Sequence, residues 1–464
     1  MKNVDLIIIG GGPAGYETAL LAAKNGLQTV LIESKKLGGT CLNEGCIPTK
    51  CLCRSAEIKR LLGSHNTLNT FGVEDISYSF NINNAIQRKN QVVDTLNGGI
   101  KAMLKAVGVE VIYGNASFKS GHVIAIDFAD NETNDLAETE YAAPYIMIAT
   151  GAVTKVLPIE GANLPGVLTS REILDIKTTP KDLCIIGGGV IGMELASIFS
   201  AFGSNVTVIE YFPEILSNLD RDMSKRLRVG MGKKGVKFHL KSSVTGIVKT
   251  GNGQLTVKYV NGDEEKEVNA EVVLMATGRV ANIDNLNLAC TGISLNKRAI
   301  EVDENYETSE KDVYAIGDVN GICQLAHAAK FQGMHALTHI LGKSDDVDFN
   351  MIPAVVFTSP EFASVGLSEE DCKNRGLSYR AHKSQFGANG KAAALGETEG
   401  LVKILATPEG TILGAHILGA HASDLIHEIA MAMRFKGNLS DICLKYMPCI
   451  FHKMPYVIFT VKST

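Results

Sequence analysis

Long apolar runs, positive charge and cysteine are all scarce in this chain of 464 residues. No segment reaches the roughly 18 to 20 consecutive apolar residues that a membrane-spanning helix needs, and residues 1–5 lead into a glycine cluster instead of the apolar core of a secretion signal. Lysine plus arginine number 45 against 50 aspartates plus glutamates, so the net charge of −5 has the wrong sign for a surface that follows nucleic-acid phosphates. We therefore expect neither a membrane nor a nucleic acid as partner, and a cytoplasmic location.

Cysteine usage points the same way. Ten cysteines in 464 residues are too few for the disulfide framework of a secreted domain, and most of them are scattered singly. Only Cys41 and Cys46 have a spacing that suggests chemistry. The remaining composition, 45% hydrophobic and 20% charged, is that of a globular protein, and the length predicts two to four domains.

The N-terminal segment predicts a strand, a turn, a helix and a second strand. The apolar run at residues 4–9 is followed by a G-x-G-x-x-G motif at Gly10, Gly12 and Gly15, then by an alanine-rich stretch and the apolar run 29–33. Glu33 ends that second run, at the place after the first glycine where dinucleotide-binding folds carry an acid. The glycines allow a tight turn and the close approach of a pyrophosphate, the helix N-terminus supplies amide donors, and Glu33 can accept from ribose hydroxyls. A glycine-rich turn without a ligand is the alternative.

The same pattern recurs between positions 183 and 210. The apolar run 183–186 leads into Gly187, Gly189 and Gly192, and Glu210 follows the first glycine at the same interval as Glu33 follows Gly10. No arginine or lysine occurs in residues 210–213 to receive a 2′-phosphate, which favours NAD over NADP. The repeat therefore predicts two bound dinucleotides.

Cys41 and Cys46 lie directly beyond the first of these units, and a helix could place residues five apart close enough to form a disulfide. In a cytosolic chain, a cysteine pair beside a dinucleotide site is better interpreted as a cycling dithiol than as a structural cross-link, because glutathione would keep an unassisted cross-link reduced. A structural disulfide and, less readily, a metal site are the alternatives; no second Cys/His pair with ligand spacing is near. We expect Cys51 and Cys53 to be buried small hydrophobic residues.

The residues around this pair read Gly38-Gly39-Thr40-Cys41-Leu42-Asn43-Glu44-Gly45-Cys46-Ile47-Pro48-Thr49-Lys50. Together with the segments 149–151, 317–318, 325–327 and 352–358, this motif resembles the flavin-dependent pyridine nucleotide-disulfide oxidoreductases of class I, and among them the dihydrolipoyl dehydrogenase branch. The resemblance implies an α/β fold with two Rossmann-like domains, for FAD and NAD, and a C-terminal α+β domain that forms a homodimer. The implied boundaries are 1–150 for FAD, 151–275 for NAD, 276–345 for a central continuation of the FAD-binding part, and 346–464 for the interface.

The resemblance also implies residue roles. Cys41 would exchange with the substrate, Cys46 would contact the flavin, and Lys50 would pair with Glu194 near the flavin ring, although a solvated Lys50 is the alternative. The FAD contacts implied are Gly10, Gly12, Pro13, Ala14, Gly15, Glu33, Gly39, Thr40, Lys50, Gly114, Thr150, Gly151, Asp318, Leu325, Ala326 and His327. The other cofactor contacts implied are Gly187, Gly189, Val190, Ile191, Gly192, Glu194, Glu210, Val244 and Gly278, and among them the second glycine motif with Glu210 would bind NAD. No metal is implied.

The C-terminal tail departs from the family pattern His-Pro-Thr-x-x-Glu, in which a glutamate orients a histidine base supplied by the partner subunit. The best match here places Met447 in the histidine position and His452 in the glutamate position. A second register aligns His452 with Pro455 and keeps a histidine, but leaves Met454 or Tyr456 where an acid should help. Neither register restores the His-Glu dyad, and a His452 without a role is a further alternative.

The sequence therefore predicts an FAD-dependent, NAD-linked disulfide oxidoreductase that acts on a small dithiol or disulfide or on a lipoyl domain. Because a general base contributes about 10²- to 10⁴-fold to a step that needs it, we expect slow lipoamide turnover unless another group substitutes. One alternative is reductive thioether cleavage with carboxylation, as in 2-oxopropyl-coenzyme M oxidoreductase/carboxylase, a branch with the same exchange at the two tail positions; against it, residues 42–45 keep the ordinary dehydrogenase sequence. The other alternative is a low-activity flavoprotein that serves as a redox sensor or binding component.

Overall fold

The computed structural model describes residues 1–128, 139–251 and 253–444. It divides into two compact units, one formed by residues 1–51, 84–155 and 278–347 and the other by residues 52–83, 156–277 and the chain from 348 onward. The segment predicted to bind FAD and its predicted continuation thus lie largely in the first unit. The domain boundaries themselves remain predictions.

A five-stranded parallel sheet forms the centre of the first unit. Its strands are rich in β-branched residues, and Leu6–Ile9 and Thr29–Glu33 are buried along their whole length, which requires that both faces of the sheet be covered. In order across the sheet, the strands are Val313–Ala315, Tyr145–Ile148, Leu6–Ile9, Thr29–Glu33 and Glu110–Tyr113. The strand, helix and strand predicted at the N-terminus are confirmed.

Smaller elements complete this unit. A second sheet contains Lys2–Asn3, Glu140–Ala142, Val123–Asp127 and Asn115–Ser120, and two short antiparallel pairs join Ala152–Thr154 to Arg279–Ala281 and Leu295–Asn296 to Ala299–Ile300. The helices are Pro13–Lys24, Gly39–Glu44, Ile82–Ala106 and Ala326–Ile340, and the helix Cys46–Gly63 begins in this unit and ends in the other.

The second unit repeats the dinucleotide-binding architecture. The strand Asp182–Ile186 leads through the helix Val190–Ala201 to the parallel strand Asn205–Ile209. In order, this sheet contains Val167–Thr169, Val272–Met275, Asp182–Ile186, Asn205–Ile209 and Lys237–His239, and an antiparallel sheet of Ser242–Lys249, Leu255–Asn261 and Glu264–Ala270 follows. The repeat predicted from the sequence is therefore a repeat of structure.

The chain after residue 348 forms an antiparallel sheet with a helix on it. In order, the strands are Ala354–Val356, Glu361–Gly366, Ile412–Gly419, Leu401–Ala406 and Arg380–Gln385. The helix Ala422–Arg434 buries Leu425, Ile426 and Ile429 in the core of this sheet. The remaining helices of the unit are His65–Thr70, Arg221–Lys233, Glu369–Asn374, Gly390–Leu395 and Leu439–Leu444. The α/β class with two Rossmann-like parts and an α+β tail is confirmed. No helix in the described ranges has both the length and the apolar character needed to cross a membrane.

Two glycines in long helices of the first unit should respond in opposite directions to the same substitution. Gly98 is exposed within Ile82–Ala106, and a Cβ there would meet no atom within 4 Å, so Gly98→Ala should stabilise by about 0.5–1 kcal/mol because alanine loses less conformational entropy. A Cβ on buried Gly333 would clash with the Thr18 hydroxyl and lie 3.2 Å from Ile316 Cδ1, so Gly333→Ala should destabilise by about 1–3 kcal/mol. Thermal unfolding of both variants beside the parent protein measures this, and equal shifts would contradict the packing described here.

Candidate active site

Cys41 and Cys46 form a disulfide, with their Cα atoms 4.6 Å apart. They do not lie on one continuous helix, as the spacing had allowed. Cys41 belongs to the short helix Gly39–Glu44, Gly45 interrupts it, and Cys46 begins the helix Cys46–Gly63. Gly45 has an extended φ of −147°, and a Cβ there would lie only 3.0 Å from the carbonyl oxygen of Thr40. The break in the helix, made at a residue with no side chain, therefore brings the two sulfurs together.

Side-chain amides fix the backbone around this disulfide. Asn43 Nδ2 donates to the carbonyl oxygens of Leu37 and Gly39, each at 2.9 Å. Asn97, on the helix Ile82–Ala106, donates to the Leu37 carbonyl at 2.6 Å and to Asn43 Oδ1 at 3.2 Å. The backbone of residues 37–43, next to the disulfide, is thus held by hydrogen bonds that do not involve the disulfide itself.

The first glycine loop lies in the same unit. Gly10 has φ +106°, and a Cβ on it would overlap the carbonyl oxygen of Ala149. A Cβ on Gly15 would overlap the carbonyl oxygen of Gly10, so the helix Pro13–Lys24 packs directly against the end of the strand. A Cβ on Gly12 would meet only Gly39 Cα, at 3.9 Å. The backbone at Gly12 therefore remains accessible beside the segment that carries Cys41.

The Glu33 carboxylate fixes this glycine loop through hydrogen bonds to backbone amides. Its Oε2 accepts from the Gly11 amide and its Oε1 from the Lys35 amide, each at 2.7 Å. The carboxyl is 8% exposed, and burial raises its pKa from the ordinary value although both amides and the Lys35 charge act in the opposite direction. Each oxygen keeps a further lone pair that a ribose hydroxyl can use.

The second unit repeats this arrangement at each corresponding position. Gly187 has φ +110° and its Cβ would overlap the carbonyl oxygen of Ala276, while a Cβ on Gly192 would overlap that of Gly187. A Cβ on Gly189 would meet no atom within 4 Å. The loop therefore leaves the same accessible backbone at Gly189 that the first loop leaves at Gly12.

Glu210 has the position that Glu33 has in the first unit. Its Oε2 accepts from the Gly188 amide, and its Oε1 accepts from the Phe212 amide at 2.7 Å. Val244, another predicted NAD contact, lies half-buried on the strand Ser242–Lys249. Glu33 and Glu210, which were predicted to bind ribose hydroxyls, thus also hold the glycine loops through hydrogen bonds within the protein.

Arg279 is a residue that sequence reasoning missed. Its Nη2 donates to Thr40 Oγ1 at 3.3 Å and to the carbonyl oxygen of Ala152, whereas its Nε and Nη1 have no hydrogen-bond partner in the described part of the chain. Burial raises the pKa of Asp318, and the Arg279 charge lowers it. In the sequence, the one sign of such a role was a basic residue directly after Gly278, a few residues beyond the apolar run 272–275.

The other predicted FAD contacts also lie in the first unit. Thr150 Oγ1 donates to the Asn282 carbonyl at 2.7 Å, and the Gly151 carbonyl accepts from the Asn282 amide at 2.9 Å. Asp318 lies in the 3₁₀ turn Gly317–Asn320. The rest are at element ends: Pro13 and Ala14 open a helix, Leu325 caps the helix that Ala326 and His327 begin, and Gly114 follows a strand.

Some residues that the sequence predicted to act together lie in different units. Lys50 belongs to the first unit and Glu194 to the second, where Glu194 Oε1 accepts from the Phe357 amide at 2.9 Å; their pairing remains a prediction. Gly278, with φ +102°, falls in the first unit. Cys51 is buried as expected, but Cys53 is half-buried and donates from Sγ to the Phe357 carbonyl at 3.4 Å, so it is not a purely apolar contact. Met447 and His452 lie outside the described residues.

Both loops fit the dinucleotides expected there. The backbone at Gly12 and Gly189 is open to a pyrophosphate, and a Cβ at either position would occupy that space. In the first unit, Arg279 offers two unoccupied guanidinium nitrogens beside Thr40, the donor set that a phosphate requires. Val190 and Ile191 follow the second loop at the start of a helix, where amide donors are free.

Comparison with known proteins agrees with this architecture. The profile of the family described as pyridine nucleotide-disulphide oxidoreductase matches residues 4–333, and that of its dimerisation domain matches residues 352–450. A mitochondrial dihydrolipoyl dehydrogenase of Pisum sativum is 38% identical over 446 residues, which are 94% of this chain and 87% of that protein. A leghemoglobin reductase of Glycine max is also 38% identical, over 94% of this chain and 83% of that protein.

Among solved structures, the Cu(II) complex of the HOCl-induced flavoprotein disulfide reductase RclA from Escherichia coli superposes with a TM-score of 0.86 at 29% identity, covering 98% of this chain and 99% of that one. The family is FAD-dependent and uses NAD or NADP, in agreement with the cofactors predicted from the two glycine motifs. The matched dimerisation domain supports a homodimer. The chain therefore belongs to the pyridine nucleotide-disulphide oxidoreductase family, as a flavoprotein disulfide oxidoreductase similar to dihydrolipoyl dehydrogenase.

Proposed function

We propose that this protein transfers electrons between NAD and a small dithiol or a lipoyl group, with Cys41 and Cys46 as the pair that is oxidised and reduced. The observation that carries this proposal is the Cys41–Cys46 disulfide in the same unit as the first glycine loop. A dithiol loses two electrons and two protons when it becomes a disulfide, and NAD⁺ takes up two electrons and one proton, so one proton is released in each turnover. Bound FAD supplies the relay between the two partners.

Within the redox pair, we assign exchange with the substrate to Cys41 and contact with the flavin to Cys46. Thiol–disulfide exchange needs a thiolate, and the leaving sulfur must also be stabilised as a thiolate. Lys50, one turn after Cys46 on the same helix, supplies a positive charge in this region. Its assigned partner is Glu194, whose carboxylate would keep the ammonium charged beside the flavin.

The nucleotide contacts are assigned by unit. The loop Gly10–Gly15 with Glu33, Thr40 and Asp318 would hold FAD, and we add Arg279 to this set because its free nitrogens lie beside Thr40. The loop Gly187–Gly192 with Glu210 would hold NAD. Val244 and Gly278 are proposed to complete the NAD contacts.

The proposed substrate class rests on the relatives and is limited by the tail. Dihydrolipoyl dehydrogenases are among the relatives of this chain, and their name indicates a dithiol of the lipoyl type. A cytoplasmic location suits a pair that must be cycled by pyridine nucleotides. The tail, with Met447 and His452 where the family has its histidine and glutamate, removes the group that would deprotonate that dithiol.

The same tail favours one competing function, the reductive cleavage of a thioether followed by carboxylation. In that chemistry a carbanion or enolate must survive until it meets carbon dioxide, and an imidazolium in the position of Met447 would protonate it. Residues 42–45, between the two cysteines, favour the dehydrogenase instead because they keep its ordinary sequence. An assay of NADH oxidation with lipoamide and, separately, with coenzyme-linked thioethers under carbon dioxide distinguishes the two.

Replacing either redox sulfur should abolish turnover and leave the flavin site intact. We expect Cys41→Ser and Cys46→Ser to lower lipoamide-dependent NADH oxidation by about 10⁴-fold or more, because the hydroxyl cannot form the disulfide. Both variants should retain FAD and the NADH-dependent bleaching of its absorbance. Cys290→Ser, which changes an exposed free cysteine of the same unit, is the matched control and should keep full activity. Substantial activity in either redox variant would exclude the proposed mechanism.

Gly189→Ala should block NAD without disturbing the fold. The added Cβ meets no protein atom within 4 Å and φ at this residue is −74°, so the unfolding temperature should stay within about 2 °C of the parent. The same Cβ would occupy the space of the pyrophosphate, and the KM for NADH should rise about 100-fold or more. An unchanged KM would place the nucleotide elsewhere. Gly246→Ala is the control, because its added Cβ lies at ordinary contact distances from the surrounding atoms. Gly262→Ala is unsuitable, because Gly262 has φ +64° and alanine would be strained there.

Restoring the family dyad should increase activity with a dithiol. The double substitution Met447→His and His452→Glu should raise the kcat for dihydrolipoamide oxidation by about 10²- to 10⁴-fold at neutral pH, because it returns a base to the step that needs one. Reduction of the flavin by NADH should be unchanged and is the internal control. No gain, combined with fast turnover of the parent protein, would show that another base already substitutes.

A further inference from the structure

A lysine, two acids and a histidine are buried together in the second unit. Lys403, on the strand Leu401–Ala406, and Asp220 have fully buried side chains, and Lys403 Nζ lies 2.7 Å from Asp220 Oδ2 and 2.6 Å from Glu369 Oε2. His416 is the cross-strand neighbour of Lys403, and its Nε2 lies 3.9 Å from Asp220 Oδ2 and 3.1 Å from the Leu367 carbonyl oxygen. We call these four residues the Lys403 cluster.

The charges in this cluster determine geometry more than they add stability. Desolvation offsets most of the attraction in a buried ion pair, so its net contribution to folding is small. Burial acts to lower the pKa of Lys403, but the hydrogen bonds that its ammonium donates to Asp220 and Glu369 outweigh burial and raise that pKa. Burial acts to raise the pKa of Asp220, but the charges of His416 and Lys403 outweigh it and lower that pKa. Both partners are therefore charged at neutral pH, and the Asp220 carboxylate stays where Lys403 holds it.

Asp220 in turn begins the helix Arg221–Lys233. It is the N-cap residue, and its Oδ1 accepts from the Met223 amide at 3.2 Å. One and two turns further, this helix contacts the loop at residues 210–219. Ser224 Oγ donates to the Leu216 carbonyl at 3.5 Å, and Arg228 binds Glu214 through Nε at 2.7 Å and Nη2 at 3.1 Å. The position of the helix therefore sets the position of the loop.

The same loop contacts the second glycine motif directly. The Leu216 amide donates to the Gly188 carbonyl at 2.9 Å, and Glu210, at the start of the loop, accepts from the Gly188 amide. A continuous series of contacts thus connects Lys403, through Asp220 and the helix, to the backbone that would face a dinucleotide.

We propose that Lys403 is a positioning residue of the NAD site, acting through Asp220 and the loop 210–219 on Gly188 and Glu210. This role rests on the proposed function, in which NAD binds at the second glycine loop. Binding through backbone amides tolerates little displacement, and a shift of about 1 Å in a site of this kind can cost as much as 100-fold. The lysine belongs to the part of the chain matched by the dimerisation domain, so that domain contributes to NAD binding without contacting the nucleotide.

The chain provides a matched control in Lys383. Its Nζ lies 2.8 Å from Asp222 Oδ2, so it pairs with the same helix two residues beyond Asp220, but its side chain is 41% exposed. An exposed pair of this kind contributes less than about 1 kcal/mol and leaves its partner solvated when it is broken. Lys383 and Lys403 therefore differ in burial while sharing chemistry and target helix.

The test measures binding of ADP-ribose, which carries the adenosine and pyrophosphate of NAD but accepts no electrons, to the FAD-loaded protein by titration calorimetry. Lys403→Met should weaken binding about 10-fold or more, and Lys383→Met should change it less than about 2-fold. The double variant Lys403→Met/Asp220→Asn should recover most of the loss, because asparagine still caps the helix and the fully buried charge of Asp220 is removed, while Glu369, which also loses Lys403, is partly exposed to solvent. FAD affinity should be the same in all variants.

Each other outcome overturns the proposal. Lys403→Met binding that equals the parent, a double variant as weak as the single one, or an equal loss of FAD affinity would show that Lys403 has no specific role at the NAD site. If Lys403→Met does not fold, Arg228→Met tests the next contact in the series, and the proposal requires it to weaken ADP-ribose binding several-fold. A parent protein that fails to bind ADP-ribose would instead refute the assigned NAD site itself.

Discussion

Both nucleotide-binding parts of this protein depend on one interaction, a buried carboxylate that accepts hydrogen bonds from two backbone amides. Glu33 connects Gly11 to Lys35, and Glu210 connects Gly188 to Phe212. A buried carboxylate or amide without a hydrogen bond is costly. Each of these glutamates pairs its two carboxylate oxygens with two backbone amides, and it thereby fixes the glycine loop against the turn that follows the second strand. In the first unit the constraint extends to the redox centre, since the Gly38 amide donates to the Gly11 carbonyl at 2.8 Å.

The sequence predicted what depends on local spacing. The two glycine motifs and the acid that follows each of them at the same interval occupy the elements expected, because a strand, a tight turn and a helix leave a periodic signature in consecutive residues. The break at Gly45 was not foreseen. From the sequence, a glycine between two helical segments is compatible with one continuous helix or with two helices. In the structure there are two, and the Thr40 carbonyl oxygen comes so close to Gly45 that a Cβ there would lie 3.0 Å from it.

Other features depend on contacts between distant residues, which no local pattern reports. Arg279 reaches Thr40 across 239 residues of sequence, and Lys403 reaches Asp220 across 183. Each side chain taken alone predicts a solvated surface cation. Only the folded topology shows that Arg279 is partly buried beside Thr40 and that Lys403 is fully buried beside Asp220.

In the proposed function, electron transfer and proton transfer are assigned to different parts of this chain. The cysteine pair and the first glycine loop with Glu33 lie in the first unit, the second glycine loop with Glu210 lies in the second, and all of them fall in the part of the chain that the family profile matches. In the register proposed for the tail, Met447 and His452 stand where the family has the histidine and the glutamate that deprotonate a dithiol. Reduction of the disulfide from the nucleotide side yields thiolates and requires no such base, so the change in the tail alters only the exchange with the outside partner. The names of its relatives, a dihydrolipoyl dehydrogenase, a leghemoglobin reductase and an HOCl-induced disulfide reductase, indicate that proteins similar to this chain act on different partners. Under the proposed function, partner choice would be decided at the exchange with the outside dithiol, the step for which the proposed register of the tail differs from the family.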